Sequence, residues 1–423
     1  MAFRWAGFDG SNNINQKRGR PGGGQDPGYY WDTPYPKCTA QLPNYDPTQL
    51  NGDYIPYYPP ETQKFPMTQN WSFGIQTELP WQTRLEVNYV GNKSTRLSDP
   101  YIGNINQVDP RYLSLEDALI EDISDHPEIK KPYPSFEGTV AQALLPYPQY
   151  TGVTAHRLNE GYANYHSMQI IATKRVANGL SFLAAYTFSR SLATADSAVA
   201  YDWYGGYGQS VYNRKLDYSV TSLNVPQDLR LTWIYELPVG PEGRWLRSGK
   251  LSYILGGWTI SGIKHFRSGA PISIGNGGGP DTEALFNSGF CADTLPSRDK
   301  QIIGSKPGDP NRSEGTPYLN LAAWGAPPVT DNNVAIRLPN GVRYQPNLPG
   351  FARNGEQLSL IKRTRLPFRE GANFELRADI SNPFNRTWIA DPETDVSDPE
   401  RFGRVFDKYG GERTIQLGVR ITF

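Results

Sequence analysis

The chain has no excess of charge of either sign. Its 42 Lys plus Arg are matched by 42 Asp plus Glu, so it lacks the basic field that would bind nucleic acid. Long apolar runs are missing too. The segment Leu180 to Phe188 is broken by Ser181 and Thr187 and falls far short of the ~20 residues a transmembrane helix needs. This excludes a helical membrane protein but not a barrel, whose strands carry only a weak alternating signal. Cysteine is scarce: Cys38 and Cys291 fall in segments that read as loop and match no metal spacing, leaving either one extracellular disulfide or two unrelated thiols. The four histidines, His126, His156, His166 and His265, are scattered without ligand spacing. No G-x-S-x-G, H-E-x-x-H or G-x-x-x-x-G-K-[ST] occurs, and the Gly runs at 22–24 and 277–279 do not join a strand to a helix. Neither an enzyme nor a bound cofactor or metal is expected. The start, M-A-F-R-W-A-G-F, lacks a basic region followed by an apolar core.

What is present is alternation. In Arg413 to Phe423, residues Ile415, Leu417, Val419, Ile421 and Phe423 form one face, and Thr414, Gln416, Gly418, Arg420 and Thr422 the other. Period two marks a strand with one apolar and one polar side. It suits the closing strand of an outer-membrane barrel or the edge of a soluble sandwich. The same pattern recurs at Trp71 to Leu79, Leu85 to Tyr89, Tyr165 to Val176, Phe182 to Phe188, Leu229 to Leu237, Trp258 to Phe266, Leu358 to Arg365 and Phe374 to Ile380. Short turns at Pro80-Trp81, Asn178-Gly179 and Pro367-Phe368, with a moderate one after Leu237, alternate with long stretches at about 92–162, 191–224, 268–354 and 382–412. Outer-membrane barrels sort connections this way, short on the periplasmic side and long outside. A sandwich has no reason to. Aromatics at 13%, with 26 Tyr and 10 Trp, suit interfacial girdles or a carbohydrate-binding surface.

The expected fold is therefore all-β: the C-terminal portion of an antiparallel transmembrane β-barrel in the outer membrane, to which this chain contributes about nine to ten strands. Residues 1–67 read as an extracellular loop region, with Tyr54 to Pro60 as loop and a strand stub at Phe3 and Trp5. Residues 68–423 carry the strands. Short helices are expected within Glu116 to Lys131 and Thr139 to Leu145. An odd strand number and the absent export signal make this look like the C-terminal part of a longer barrel.

Ordered segments then carry a resemblance. They are W-D-T-P-Y-P (31–36), L-N-G-D-Y-I-P-Y-Y (50–58), T-Q-N-W-S-F-G-I-Q (68–76), V-N-Y-V-G-N-K-S-T-R-L (87–97) and N-Y-H-S-M-Q (164–169). N-G-L-S-F-L-A-A-Y-T-F-S-R-S-L (178–192), G-G-W-T-I-S-G-I (256–263), F-E-L-R-A-D-I-S-N-P-F-N-R-T (374–387) and F-G-R (402–404) follow. The chain resembles the C-terminal half of the barrel in Oar-like TonB-dependent receptors. The resemblance implies a barrel of about 22 strands with a plug, lying in the lipid bilayer of the outer membrane. It implies uptake of an unknown solute driven by the TonB system through an N-terminal plug region that this sequence lacks. It also implies that Leu417, Val419, Ile421 and Phe423 are read by the barrel-assembly machinery.

Candidate residues follow from the alternation. Arg84, Glu86, Arg230, Glu236, Glu375, Arg377 and Asp379 fall on the polar faces and are expected to line a lumen, contacting a plug or a solute, or forming general polar lining. Trp203, Tyr204 and Tyr207 are loop aromatics that a sugar could stack on or that pack one another. Asp391, Glu393, Asp395 and Asp398 cluster in the last long loop without the glycine and terminal glutamate of an EF-hand, which favours a solvated acidic loop over a Ca²⁺ site. Two functions remain: a solute transporter, and a surface protein that binds a partner through its loops while the barrel anchors it.

Overall fold

The computed structural model describes residues 53–57, 64–97, 104–155, 159–194, 209–241, 243–275, 285, 291–295, 300–304, 314–366 and 371–423. Nine long strands form a continuous antiparallel meander: β1 (Met67–Leu79), β2 (Thr83–Leu97), β3 (Gly161–Ala177), β4 (Leu180–Ala193), β5 (Gln227–Glu236), β6 (Trp258–Arg267), β7 (Arg353–Arg365), β8 (Asn373–Ser381) and β9 (Thr414–Thr422). Each pairs with its neighbours in sequence, and the short pair Ser219–Val220 adds onto β4. β1 and β9 end the order, and among the described residues nothing pairs with their outer edges.

Register joins the alternating residues into faces that cross the sheet. One row runs Ile75, Val87, Ile170, Tyr186, Leu229 and Phe266. Another runs Leu180, Tyr235, Ile260, Leu360, Ala378 and Leu417. A one-residue slip would turn these side chains to the opposite face, so the apolar rows fix the register. Many of these apolar side chains stay open to solvent, Phe73 at 68% and Leu417 at 72%. A water-soluble sheet would cover them.

Turns close one end. Asn178 (φ 53°) and Gly179 (φ 80°) make the two-residue hairpin of β3 and β4, where paired positive φ matches the strand twist. Trp81 and Gln82 also adopt positive φ between β1 and β2, at 63° and 56°. β5 and β6 are joined through 237–257, which includes a short helix, Lys250–Leu255. The Leu366 N–H donates to the Ala372 carbonyl at 2.9 Å to close β7 and β8; the expected turn at Pro367-Phe368 lies outside the described residues.

The long connections, 98–160, 194–226, 268–352 and 382–413, leave the other end, and the buried apolar side chains concentrate there. Val108, Leu113, Leu119, Ile123, Phe136 and Val140 of the first pack with Val334 and Ala335 of the third. Ile272, Ile274, Trp324 and Leu348 of the third pack with Val396 and Phe402 of the fourth. Fully burying such a side chain is worth roughly 1.5–3 kcal/mol. Polar bridges tie the connections together. The Val211 N–H donates to Gln107 Oε1 at 2.9 Å, and Gln209 Nε2 to the Gly341 carbonyl at 3.1 Å. Buried Arg343 donates to the carbonyls of Asp217 and Ala193 at 2.9 and 3.0 Å, holding the third connection against the end of β4.

Several sequence expectations need correction. Tyr54 to Pro60 is not all loop, because Asp53–Tyr57 is a strand that pairs in parallel with Tyr150–Ala155. The partner lies 97–98 residues away and is invisible to local pattern. The first long connection starts after Leu97, because β2 continues past its alternating core. The helix expected within Glu116 to Lys131 is instead 3₁₀ structure at Pro110–Ile120, kinked at Glu116 (φ 50°), followed by Ile123–Asp125. Val140–Ala143 is helical, its N-terminus capped by Thr139, whose hydroxyl accepts from the Gln142 N–H at 3.2 Å. The strand stub at Phe3 and Trp5 lies outside the described residues.

Candidate functional site

The polar face of the meander gathers the charged strand residues. Residues two apart on a strand share a face, and opposite charges at that spacing meet. Arg84 Nη2 lies 2.7 Å from Glu86 Oε1, Arg230 Nε 3.0 Å from Asp228 Oδ1, and Arg377 Nε 2.7 Å from Asp379 Oδ2. Register then links the strands. A row runs Gln76, Glu86, Ile171, Ala185, Arg230 and His265. A second runs Glu236, Thr259, Ile361, Arg377 and Gly418. Arg84, Glu86, Arg230, Glu236, Glu375, Arg377 and Asp379 thus share one face of one sheet.

Partners that local pattern did not reveal join them. His265 Nε2 lies 3.0 Å from Asp228 Oδ2, so Asp228 sits between Arg230 of its own strand and His265 of the next. Arg363 of β7 reaches Glu375 Oε2 of β8 at 2.8 Å, and the Ser359 hydroxyl donates to Asp379. The Asp228 contact to Arg230 had a sequence signal in the D-x-R spacing. The contacts to His265 and Arg363 depend on cross-strand register and had none.

A cavity of about 420 Å³ opens on this face, lined by Tyr165, Thr187, Ser189, Asn224, Asp228 and Arg230 among others. The chain from Leu223 to Val225 forms one wall of it. That wall is fixed to β4: the Ser189 hydroxyl donates to the Val225 carbonyl at 2.9 Å, and Asn224 Oδ1 accepts from the Ser191 N–H at 2.7 Å. An anion and a cation side by side among hydroxyls suit a polar ligand that both donates and accepts hydrogen bonds.

The remaining candidates fall elsewhere. Leu417, Val419 and Ile421 lie on the apolar face of β9, beside Ala378, Leu376 and Phe374, and Phe423 follows the strand at 78% exposure. Trp203, Tyr204 and Tyr207 lie outside the described residues, as does Cys38. Burial pushes the Cys291 thiol up to about 12, which keeps it a neutral, unreactive thiol at ordinary pH. In the last long connection the acids are engaged by neighbouring groups, Glu393 and Asp398 both by Arg401. Glu393 Oε1 is 3.0 Å from Arg401 Nη2, and Asp395 Oδ1 accepts from the Ser397 N–H at 2.9 Å. Asp398 Oδ1 accepts from the Arg401 N–H at 3.2 Å, and Asp391 stands apart from these pairings. Among the described residues no three acids, histidines or cysteines come together as a metal site.

The sequence profile described as an outer membrane beta barrel domain matches residues 4–416. No curated protein matches the chain. Among solved structures, the chain is similar to the outer membrane transporter YddB from Escherichia coli, at 11% identity and a TM-score of 0.38, covering 87% of this chain and 34% of that one. It is also similar to FpvA of P. aeruginosa, solved bound to heterologous pyoverdines, at 11% identity and a TM-score of 0.31, covering 83% of this chain and 26% of that one. This chain thus spans about a third or less of the length of either. The match over residues 4–416, on a chain whose meander has one apolar and one charged face, shows that it belongs to the outer membrane beta-barrel domain family and lies in the outer membrane.

Proposed function

We propose that this chain forms the C-terminal part of the barrel of an Oar-like TonB-dependent receptor, which takes up a solute across the outer membrane without enzymatic chemistry. The observation that carries the reading is the nine-stranded meander, charged on one face and apolar on the other, whose two end strands have no outer partner among the described residues. In hydrocarbon each unpaired backbone group costs several kcal/mol, so such edges call for further strands. With those strands added, the charged face becomes the lumen of a wide barrel, where Arg84, Glu86, Arg230, Glu236, Glu375, Arg377 and Asp379 meet water, a plug or the passing solute. The sequence resemblance to the Oar-like receptors supports the same reading and supplies the plug and TonB as partners.

The packed head at the long-connection end favours a second reading, a surface protein that binds a partner through that head. Solute uptake by cells lacking the protein separates the two. If uptake of a solute falls both in these cells and in cells lacking TonB, transport stands. If every TonB-driven uptake persists while surface binding of a partner is lost, the second reading replaces it.

A further inference from the structure

We propose that the connection between β5 and β6 is a membrane-surface anchor that lies on anionic phospholipid headgroups of the periplasmic leaflet. The proposal rests on the barrel reading, which makes the short-turn end of the sheet periplasmic.

The connection folds over the apolar face of the sheet. Lys362 belongs to that face, opposite Trp258 and beside Leu360 in register. Its ammonium donates to the Tyr253 carbonyl at 2.6 Å and to the Gly256 carbonyl, at the end of the helix Lys250–Leu255. Trp258 Nε1, on the same face, donates to the Ile254 carbonyl at 3.4 Å. These contacts hold the helix on the lipid-facing side. Within the connection, Ser252 is buried with its hydroxyl donating to the Gly249 carbonyl at 2.7 Å, and an added Cβ at Gly256 would meet Gly240 Cα at 2.4 Å. The connection is therefore a packed unit.

What it presents outward is apolar. Leu251, Tyr253, Ile254 and Leu255 are each at least 50% exposed, and Trp245 is exposed beside them. Arg244, Arg247 and Lys250 are exposed on the same connection, against one acid in its sequence, Glu242. Apolar and aromatic side chains flanked by cations describe an interfacial segment, whose apolar face enters the headgroup boundary by about 5–10 Å. The patch is continuous with the apolar face already assigned to lipid. The neighbouring turn repeats the device: Lys174, also on the apolar face, donates to the Trp81 carbonyl at 2.5 Å.

The test is lipid quenching in the whole receptor barrel that includes this chain, reconstituted into phosphatidylethanolamine and phosphatidylglycerol vesicles. Ile254→Cys and, separately, Met168→Cys carry a fluorophore in a Cys38→Ser, Cys291→Ser background. Met168 lies on the apolar face at mid-strand and reports whether the sheet is in the bilayer. The expected result is loss of most Ile254-site emission with headgroup-quencher lipids, and loss of Met168-site emission only with acyl-chain quenchers. Quenching at Met168 with none at Ile254 overturns the anchor while the barrel reading stands. This is the result if another protein covers the patch. Quenching at neither site overturns both. In a second measurement, Arg247→Glu with Lys250→Glu lowers headgroup quenching at Ile254 in these vesicles, and unchanged quenching overturns the electrostatic part.

Discussion

Asp228 of β5 pairs with two side chains at once, with Oδ1 3.0 Å from Arg230 Nε and Oδ2 3.0 Å from His265 Nε2. One neighbour is two residues along the same strand. The other lies across the β5–β6 register, where His265 stands opposite Arg230. The carboxylate is half-buried and both partners are more exposed, so water screens the pairs. A double-mutant cycle between Asp228→Ala and His265→Ala, read by unfolding in detergent, is expected to return roughly 0.2–1 kcal/mol of coupling. A coupling of zero would show that the contact does not organise the cavity wall.

The apolar face sets a second expectation. Val419 on β9 is exposed and faces outward beside Leu376. An arginine facing lipid near mid-membrane costs about 2–4 kcal/mol in a barrel. Val419→Arg should lower the folded, heat-modifiable fraction on gels, whereas Gly418→Ser on the charged face should leave it unchanged. Equal effects of the two would contradict the assignment of faces.

The head at the long-connection end is expected to fail separately from the sheet. Phe136 is fully buried among Leu119, Ile123 and Val140, and a truncated buried Phe costs about 3–5 kcal/mol. Phe136→Ala should make the connection between β2 and β3 rapidly cleavable by protease while strand circular dichroism persists. Loss of both together would mean that head and sheet form one cooperative unit.

The His126 ring in that head is held between Glu121 (Nε2 to Oε2, 2.6 Å) and Glu128 (Nδ1 to Oε1, 3.0 Å). The hydrogen bond to Glu121, then that to Glu128, raises its pKa above the ordinary 6.5. A raised folded pKa means that the stabilisation is fully present below the unfolded value and is lost as pH rises through the folded one. Protease nicking near His126 should therefore increase as pH rises from mildly acidic to alkaline, and the imidazole should titrate above a free histidine by NMR. His126→Gln should abolish this pH dependence.

The β3–β4 hairpin gives a backbone test. Gly179 has φ 80°, and a Cβ there would lie 2.4 Å from the Glu236 carbonyl of β5. Gly179→Ala should cost more than about 1 kcal/mol, because both the positive φ and the close approach exclude a methyl group. A neutral result would require the turn to relax away from β5.

Much of the sheet could be read from the chain alone. The alternation of Ile415, Leu417, Val419 and Ile421 fixes two faces because strand side chains repeat every two residues. The Asn178-Gly179 pair announces its hairpin because few residues tolerate the required φ. Charges two apart, such as Arg377 and Asp379, must share a face. These are local consequences of backbone geometry. Contacts between distant segments were not legible. His265 reaches Asp228, and Arg363 reaches Glu375, only because neighbouring strands align in one register among several. Asp53–Tyr57 becomes a strand only when Tyr150–Ala155 lies beside it. The cores that join Phe136 to Val334, and Trp324 to Phe402, come from connections without period, so their burial has no repeating signal. The helix Lys250–Leu255 is too short to stand alone, and its place on the apolar face comes from the Lys362 ammonium. The sequence by itself set the strands and their two faces. The tertiary structure decided which charges meet, how the long connections pack, and which turn lies against the apolar face.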